Sequence, residues 1–347
     1  PSAFSSPPRS HSPQDLTRVL IPAFFLEPRS LLEKMADVLM HPDLALEYVV
    51  QEDPFERMVA LVKWFLSGFH FKTTGVKKPF NPIIGETFAC MWRHDDGSYS
   101  QYLAEQVSHR PPVTALYFEN KANHIAANAQ IWTKSKFSAP QTAKSILVGG
   151  AQLHLTNREE MYYCTFPTYN CHNLLIGTLR MEVGDVTDIV CPKTGLSCHV
   201  EFQQKPTFGG SAKINSLVGT IKRGEETLAT LDGHWDKVIN ITRTGGAKEE
   251  LFNVATSGVK AKMVTPLDRQ GPWESRRLWR EAADLLNVRP KVDWDAVDRA
   301  KGKLEEEQRK LPCHKDPPGP WATKLFTQQP FPNPLTGETE DMYVFNH

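Results

Sequence analysis

The chain has 347 residues, 40% of them hydrophobic, which is enough for one large domain or two ordinary ones around a sizeable core. Lys and Arg number 40 and Asp and Glu number 40, so the formal net charge is zero. This balance argues against a nucleic-acid binder that relies on a global positive field, and an anionic partner has to be held by a local cluster.

Pro1–Pro13 is rich in Ser and Pro and reads as a flexible leading segment, residues 1–14. Asp15–Leu26 is short, apolar and broken by Pro22; it suits a lid, residues 15–28, while an edge strand or a frayed helix fits about as well. Ser30–Met40 places Leu31, Leu32, Met35, Val38 and Leu39 at helical spacing, with Ser30 as N-cap and Glu33 positioned for a capping box. Pro42–Val50 predicts a further turn or two of helix. Asp53–Phe69 opens on an Asp cap with Pro54 at the first helical position and ends at Gly68; Phe55, Val59, Val62, Phe65 and Leu66 form its apolar stripe.

From about Phe88 to Thr242 the period changes to short alternating segments separated by Gly, Asn and Asp. Tyr99–Ala104, Thr114–Glu119, Ala126–Thr133, Ala151–Leu155, Leu174–Val183, Ser197–Phe202, Val218–Lys222, Thr227–Leu231 and Lys237–Thr242 all read as strands. So many strands predict a large antiparallel sheet or barrel, in which closure removes exposed edges and leaves room for a ligand. Helices return at Trp273–Leu286, amphipathic through Leu278, Trp279, Ala282, Leu285 and Leu286, and at the charged stretch Asp293–Leu311. Beyond Pro312 the chain is rich in proline (Pro317, Pro318, Pro320, Pro330, Pro332, Pro334), which predicts a tail with little regular structure.

Catalytic motifs are missing: there is no G-x-S-x-G, H-E-x-x-H, Walker loop or G-x-G-x-x-G. Ser108 and His109 are neighbours that point apart in extended chain, and Pro111 and Pro112 disfavour the helix that would pair Glu105 with His109. Cys90, Cys164, Cys171, Cys191, Cys198 and Cys313 form no CxxC pair, so scattered reduced thiols in a cytosolic protein are the better reading than a metal site. No apolar run approaches the roughly 20 residues that span a bilayer. No basic and apolar leader opens the chain, and a first residue of Pro1 in place of Met suggests a piece of a longer protein. The expectation is a protein that is not an enzyme and needs no cofactor.

Three segments can hold a phosphate. Lys77–Glu86, KKPFNPIIGE, sets Lys78 and Asn81 on a stiff proline-framed loop. Glu105–Pro112, EQVSHRPP, sets His109 beside Arg110, whose planar fork matches phosphate oxygens. Joint use of these two needs a bend, because a straight strand sends neighbours to opposite faces. Lys301–Arg309, KGKLEEEQR, places Lys301, Glu305 and Arg309 at i, i+4 and i+8 on one helix face, where Glu305 can aim both cations. Taken singly, each reads better as a structural turn, a rigid charged loop or a solvated helix face, and only their combination points to a phosphate.

Together, and in this order, the segments resemble the ligand-binding domain of the oxysterol-binding-protein-related family. EQVSHRPP is similar to the family signature, which has a second His where this chain has Arg110; KKPFNPIIGETF (Lys77–Phe88) and KGKLEEEQR resemble its loop and its C-terminal basic helix. The resemblance runs from about Leu20 to Tyr343. It implies an α+β fold, a large near-complete antiparallel β-barrel enclosing a lipid tunnel. An N-terminal lid and helices (29–69), a barrel (about 80–265) and a C-terminal helical subdomain and tail (270–347) would then form one lipid-binding domain from residue 29 to 347.

The resemblance assigns Lys78, Asn81, His109, Arg110, Lys301, Glu305 and Arg309 to a phosphoinositide headgroup. It assigns Lys78, Asn81, Ser135 and the lid residues Leu20 and Ile21 to a second lipid. LEPRSLLEKMADVLMHPDL, DPFERMVALVKWFLSGFH and CPKTGLSCHVEF resemble the branch that exchanges phosphatidylserine for phosphatidylinositol 4-phosphate. The implied partners are those two lipids and, transiently, membrane surfaces, with no nucleic acid. The implied place is the cytoplasm, peripheral at contacts between endoplasmic reticulum and plasma membrane. A sterol exchanger and a phosphoinositide sensor that transfers nothing are the alternatives.

Overall fold

The computed structural model of the protein describes residues 26–71, 77–138, 142–173, 180–204, 214–288, 290–315, 319 and 321–347. The expected lid residues Leu20, Ile21 and Phe24 lie outside them. Ser30 is the first switch of backbone. Leu26–Ser30 is extended (β1), and the Ser30 hydroxyl accepts from the Leu32 N–H at 3.4 Å to begin α1, Leu31–Met35, which tightens into a 3-10 turn over Ala36–Leu39. Glu33 does not complete a capping box. Its buried carboxylate takes two hydrogen bonds from Arg276, at 2.7 and 3.0 Å, because a bidentate charged pair outweighs a local cap.

Leu44–Val49 forms α2 and Pro54–Ser67 forms α3. The Asp53 carboxylate caps α3 by accepting from the N–H groups of Phe55 and Glu56 at 2.9 and 3.0 Å. Gly68 ends the helix for a reason of space: a Cβ there would stand 2.4 Å from the Val38 carbonyl oxygen.

The strands follow as β2 (Lys78–Phe80), β3 (Thr87–Arg93), β4 (Tyr99–His109), β5 (Pro112–Asn120), β6 (Ile125–Ser138), β7 (Thr142–Leu155), β8 (Glu160–Thr165), β9 (Thr168–His172), β10 (Arg180–Cys191), β11 (Leu196–Gln203), β12 (Ser216–Arg223), β13 (Glu226–His234), β14 (Val238–Arg243) and β15 (Lys248–Asn253). From β3 to β15 they form one antiparallel meander of 13 described strands. β8 and β9 occupy a single place in it. β7 pairs with β8 through Gly150–Leu155 and with β9 through Thr142–Ser145, and β10 bridges the same two. Pro167, which has no N–H to offer a ladder, sits at the break.

β3 and β15 do not pair with each other among the described residues, so the barrel is near-complete. Met263 exchanges hydrogen bonds with Met91 at 3.0 and 2.8 Å, and the Thr87 N–H donates to the Trp273 carbonyl at 2.9 Å, which covers the β3 edge. Part of the barrel is filled by α2 and α3. Tyr48 meets Tyr162 edge-on, Trp64 lies against Phe118 and Phe69 against Phe202, with ring centroids 6.2, 5.3 and 4.9 Å apart.

Two expectations for the C-terminal third need correction. The helix over Trp273–Leu286 divides at Trp279 into α4 (Ser275–Leu278) and α5 (Arg280–Asn287), because Trp279 leaves helical geometry at φ −91° and ψ 6°. After α6 (Trp294–Arg309) the proline-rich tail is not irregular. β16 (Phe326–Pro332) and β17 (Thr339–Phe345) form a hairpin laid on β5 and β6. Phe345 stacks on Tyr117 at 4.3 Å, and its N–H donates to the Asn128 side-chain oxygen at 2.9 Å. Among the described residues β16 pairs on one side only, so Pro330 and Pro332 cost it no ladder bond on the open side.

Candidate functional site

The first candidate segment is held by buried polar groups. β2 runs parallel to β1, and Phe80 stacks on Trp279 with centroids 4.5 Å apart at 12°. The loop after Phe80 closes on Glu86, whose buried carboxylate accepts from Ile83 N–H at 3.0 Å, Ser275 Oγ at 2.6 Å and Trp279 Nε1 at 2.9 Å. Burial pushes the Glu86 carboxyl up, against the pull of those donors. Gly85, at φ +74°, is required here, since a Cβ would meet the Trp321 ring at 2.4 Å. The Ile84 N–H donates to Gln308 Oε1 of α6 at 2.7 Å, which joins the first segment to the third.

The second segment is the β4–β5 hairpin. His109 ends β4 opposite Pro112 and Arg110 lies in the turn between them, so the two are not successive residues of a straight strand; a register shift between Gln106 and Ser108 precedes the turn. Thr114 Oγ1 donates to Gln106 Oε1 at 2.7 Å and Gln106 Nε2 to the Ser108 carbonyl at 2.9 Å, which locks it. Glu105 is structural: its buried carboxylate accepts from the backbone N–H groups of Lys324 and Leu325 at 2.8 and 2.7 Å. In the third segment the Asp293 carboxylate caps α6 through the Ala296 N–H at 3.0 Å. Glu305 pairs with Lys301 at 2.7 Å and with Arg309 at 3.9 Å, so one carboxylate does hold both cations.

These segments meet. Burial lowers the half-buried Lys78 ammonium, the nearby Lys301 charge lowers it further, and Glu305 raises it. Burial also pushes the His109 imidazole down, to about 4, helped by His314, Arg110 and Arg309 and opposed by Glu305. The Glu305 charge is therefore near enough to act on both the first and the second segments. Among the described residues Lys78 has neither an ion pair nor a hydrogen bond from its ammonium. Asn81 stands exposed in the loop after Phe80. Ser135 lies on β6 opposite Ser145, and its side chain is outside the described residues.

Sequence reasoning missed His314. It lies in the 3-10 turn Pro312–His314 that follows α6, and its ring packs against His109 with centroids 4.2 Å apart. The only signal for it was a histidine just beyond the basic helix. Two clefts lined by described residues, of about 370 Å³ beside α4 and α5 and about 490 Å³ across β12–β14, include none of Lys78, His109 and Arg309.

The register places an open stretch of sheet at the same end of the barrel. His109 pairs with Pro112 at the β4–β5 turn, Val113 with Trp132, and Trp132 with Val148. The β6–β7 arm continues past that level, and every β7 residue from Thr142 to Gly149 is only half-buried. Successive strand residues face opposite sides, so both faces of the sheet are accessible there.

The sequence profile of oxysterol-binding protein matches residues 8–291. The chain belongs to the oxysterol-binding protein family. It is 39% identical over 330 residues to human oxysterol-binding protein-related protein 8, an alignment covering 93% of this chain and 36% of that protein. It is also 39% identical over 334 residues to mouse oxysterol-binding protein-related protein 5, covering 94% and 38%. The chain thus spans little more than a third of these relatives.

Among solved structures, the Osh1 ORD domain in complex with cholesterol matches with a TM-score of 0.77 at 21% identity, over 95% of this chain and 83% of that one. The Osh3 ORD in complex with PI(4)P from Saccharomyces cerevisiae matches at 0.71 and 20%, over 96% and 87%. Both share the fold described above. The family's members bind and transfer lipids, and the chain is a lipid-binding domain and not an enzyme. No helix among the described residues is long and apolar enough to cross a membrane.

Proposed function

We propose that this domain exchanges phosphatidylserine for phosphatidylinositol 4-phosphate between membranes, carrying one lipid at a time. The observation that carries the reading is that basic groups of three separate segments share one carboxylate: Glu305 pairs with Lys301 and Arg309 and lies near enough to act on both Lys78 and His109, with Arg110 beside His109. A phosphomonoester brings about −1.5 to −2 charges and three acceptor oxygens, the complement such a cluster lacks. Arginine in the place of the family's second histidine supplies a permanent charge and a bidentate fork.

Lys78 and Asn81 would touch both headgroups in turn, and Ser135 the second lipid. Leu20 and Ile21 would cover the acyl chains. The stretch of β7 from Thr142 to Gly149, half-buried throughout, offers sheet against which those chains could pack. A lumen is a physical requirement, because exposing a chain to water costs about 0.8 kcal/mol per CH₂. Phosphatidylserine as the second lipid is supported by the three stretches that resemble that branch. Contacts between endoplasmic reticulum and plasma membrane would supply the phosphoinositide gradient.

Liposome transfer tests this. Labelled phosphatidylserine should move from donor to acceptor faster when the acceptor carries phosphatidylinositol 4-phosphate. His109→Ala with Arg110→Ala should abolish the stimulation, and unchanged stimulation would remove the site assignment. Mass spectrometry of lipids purified with the domain separates the alternatives. Stoichiometric phosphatidylserine supports exchange. Sterol in its place indicates a sterol exchanger, and phosphoinositide binding without transfer of any lipid indicates a sensor.

A further inference from the structure

His109 and His314 come from segments far apart in the chain. One closes β4 and the other closes the turn after α6, yet their ring centroids lie 4.2 Å apart at an interplanar angle of 43°. His314 Nδ1 lies 3.4 Å from Cys313 Sγ. With the thiol donating to Nδ1, the ring carries its proton on Nε2. That Nε2 is buried and, among the described residues, has no hydrogen-bond partner. A buried polar nitrogen without a partner is a cost to the protein unless something completes it. The groups facing the two rings are Arg110 from the β4–β5 turn, Arg309 and Glu305 from α6, and Cys313 from the same 3-10 turn.

We propose that His314 is a further ligand of the phosphate held by His109 and Arg110, and that the phosphate's arrival brings a proton to the His109–His314 pair. The proposal rests on the headgroup reading above and adds to it both a residue and a form of regulation. Burial and the charges of Arg110 and Arg309 hold His314 down, as burial, His314, Arg110 and Arg309 hold down His109. Both rings are then neutral near pH 7, and each can donate from one nitrogen only. A phosphate with a second pKa near 6 arrives largely as the dianion. Its charge opposes that of the arginines and favours an imidazolium that donates to its oxygens. The proton comes from solvent, no covalent bond changes, and one more charge-assisted hydrogen bond forms.

Calorimetry with dioctanoyl phosphatidylinositol 4-phosphate, in buffers of different ionisation enthalpy, counts the protons taken up. About half to one proton per lipid is expected near pH 7, so affinity should rise by up to about tenfold per unit as pH falls from about 8 to 6.5. His314→Gln should weaken binding and remove at least half of the uptake. His314→Arg, which keeps a cation that does not titrate, should restore affinity while leaving the uptake low. A purely structural role for His314 predicts neither the restoration nor the changed proton count.

Inorganic phosphate, titrated in parallel, separates a bare anion from a headgroup. Proton uptake with the lipid supports the inference, and uptake with inorganic phosphate alone overturns it. If wild type binds the lipid, loses it on His109→Ala with Arg110→Ala, and shows no uptake or no response to His314→Gln, this inference fails and the headgroup reading stands. If wild type does not bind the lipid, both fail.

Discussion

Arg57 and Lys78 are both cations withdrawn from water, and the protein treats them in opposite ways. Arg57, 2% exposed, donates to Glu160 from Nε and Nη2 at 2.8 and 2.6 Å, and from Nη1 to the carbonyls of Gln51 and Glu52 at 2.6 and 3.0 Å. The Tyr162 hydroxyl donates to the same carboxylate at 2.8 Å. Burial would lower the Arg57 guanidinium, but its hydrogen bonds to Glu160 and Tyr162 hold it above its ordinary value. Lys78 has no such circuit, and burial with Lys301 nearby pulls it down. A buried charge with every partner in place belongs to the scaffold. A half-buried ammonium without such partners is a cost to the unliganded domain, and under the proposed function a headgroup phosphate would supply its anion.

Breaking the closed circuit should have the largest effect. Arg57→Met strands the Glu160 carboxylate and should cost about 3–5 kcal/mol in urea unfolding, while adding Glu160→Leu should recover much of it. A loss of stability below about 1 kcal/mol in the single variant would mean the circuit is not structural.

At the open cluster the signs should reverse. His109→Ala with Arg110→Ala should lower affinity for phosphatidylinositol 4-phosphate vesicles by about a hundredfold or more, since hydrogen bonds to charged groups contribute roughly 1.5–3 kcal/mol each. The melting temperature should change little. Lys78→Met should lower that affinity by about tenfold and leave stability equal or slightly higher, because a desolvated ammonium is removed. A variant that binds weakly only because it unfolds would contradict this contrast.

The smallest effect should be in the pH dependence of the unliganded domain. His41, His70, His109, His154 and His314 are all held below the ordinary imidazole value, chiefly by burial. The unfolded chain therefore takes up protons near pH 6.5 that the folded chain refuses. The stability that neutral rings contribute is complete above that pH and is lost as pH falls toward the folded values, which for His109 is about 4. Thermal unfolding should drop by a few degrees from about pH 7 to 5. Bound phosphatidylinositol 4-phosphate should reduce the drop, and an equal drop with and without it would separate the histidines from the ligand.

Much of the helical framework was legible because its signals are local. Asp53 with Pro54, and Asp293 ahead of Trp294, mark helix starts within a few residues, and the stripe of α3 is read at a fixed period. The long strands β4 to β7 alternate strongly enough to be seen, although each extends beyond its sequence signal. β2, β3, β8, β9 and β15 were not seen. They are short or half-hidden by turns, and their extended state is maintained by neighbouring strands, β1 for β2 and the large sheet for the others. The tail hairpin was masked by Pro330 and Pro332, which are harmless only because β16 lies at an edge.

By itself the sequence determined which residue types stand at fixed spacing: the Lys301–Glu305–Arg309 face, the proline-framed loop around Asn81, and the His109–Arg110 pair. Those follow from helix period and backbone restriction, which act over a few residues. Only the tertiary structure decided that Glu305 lies near enough to act on both Lys78 and His109, that Glu105 and Glu86 are internal struts, and that His314 lies against His109. These depend on contacts between segments up to about two hundred residues apart, which are set when the sheet curls and α6 docks on the loop through Gln308.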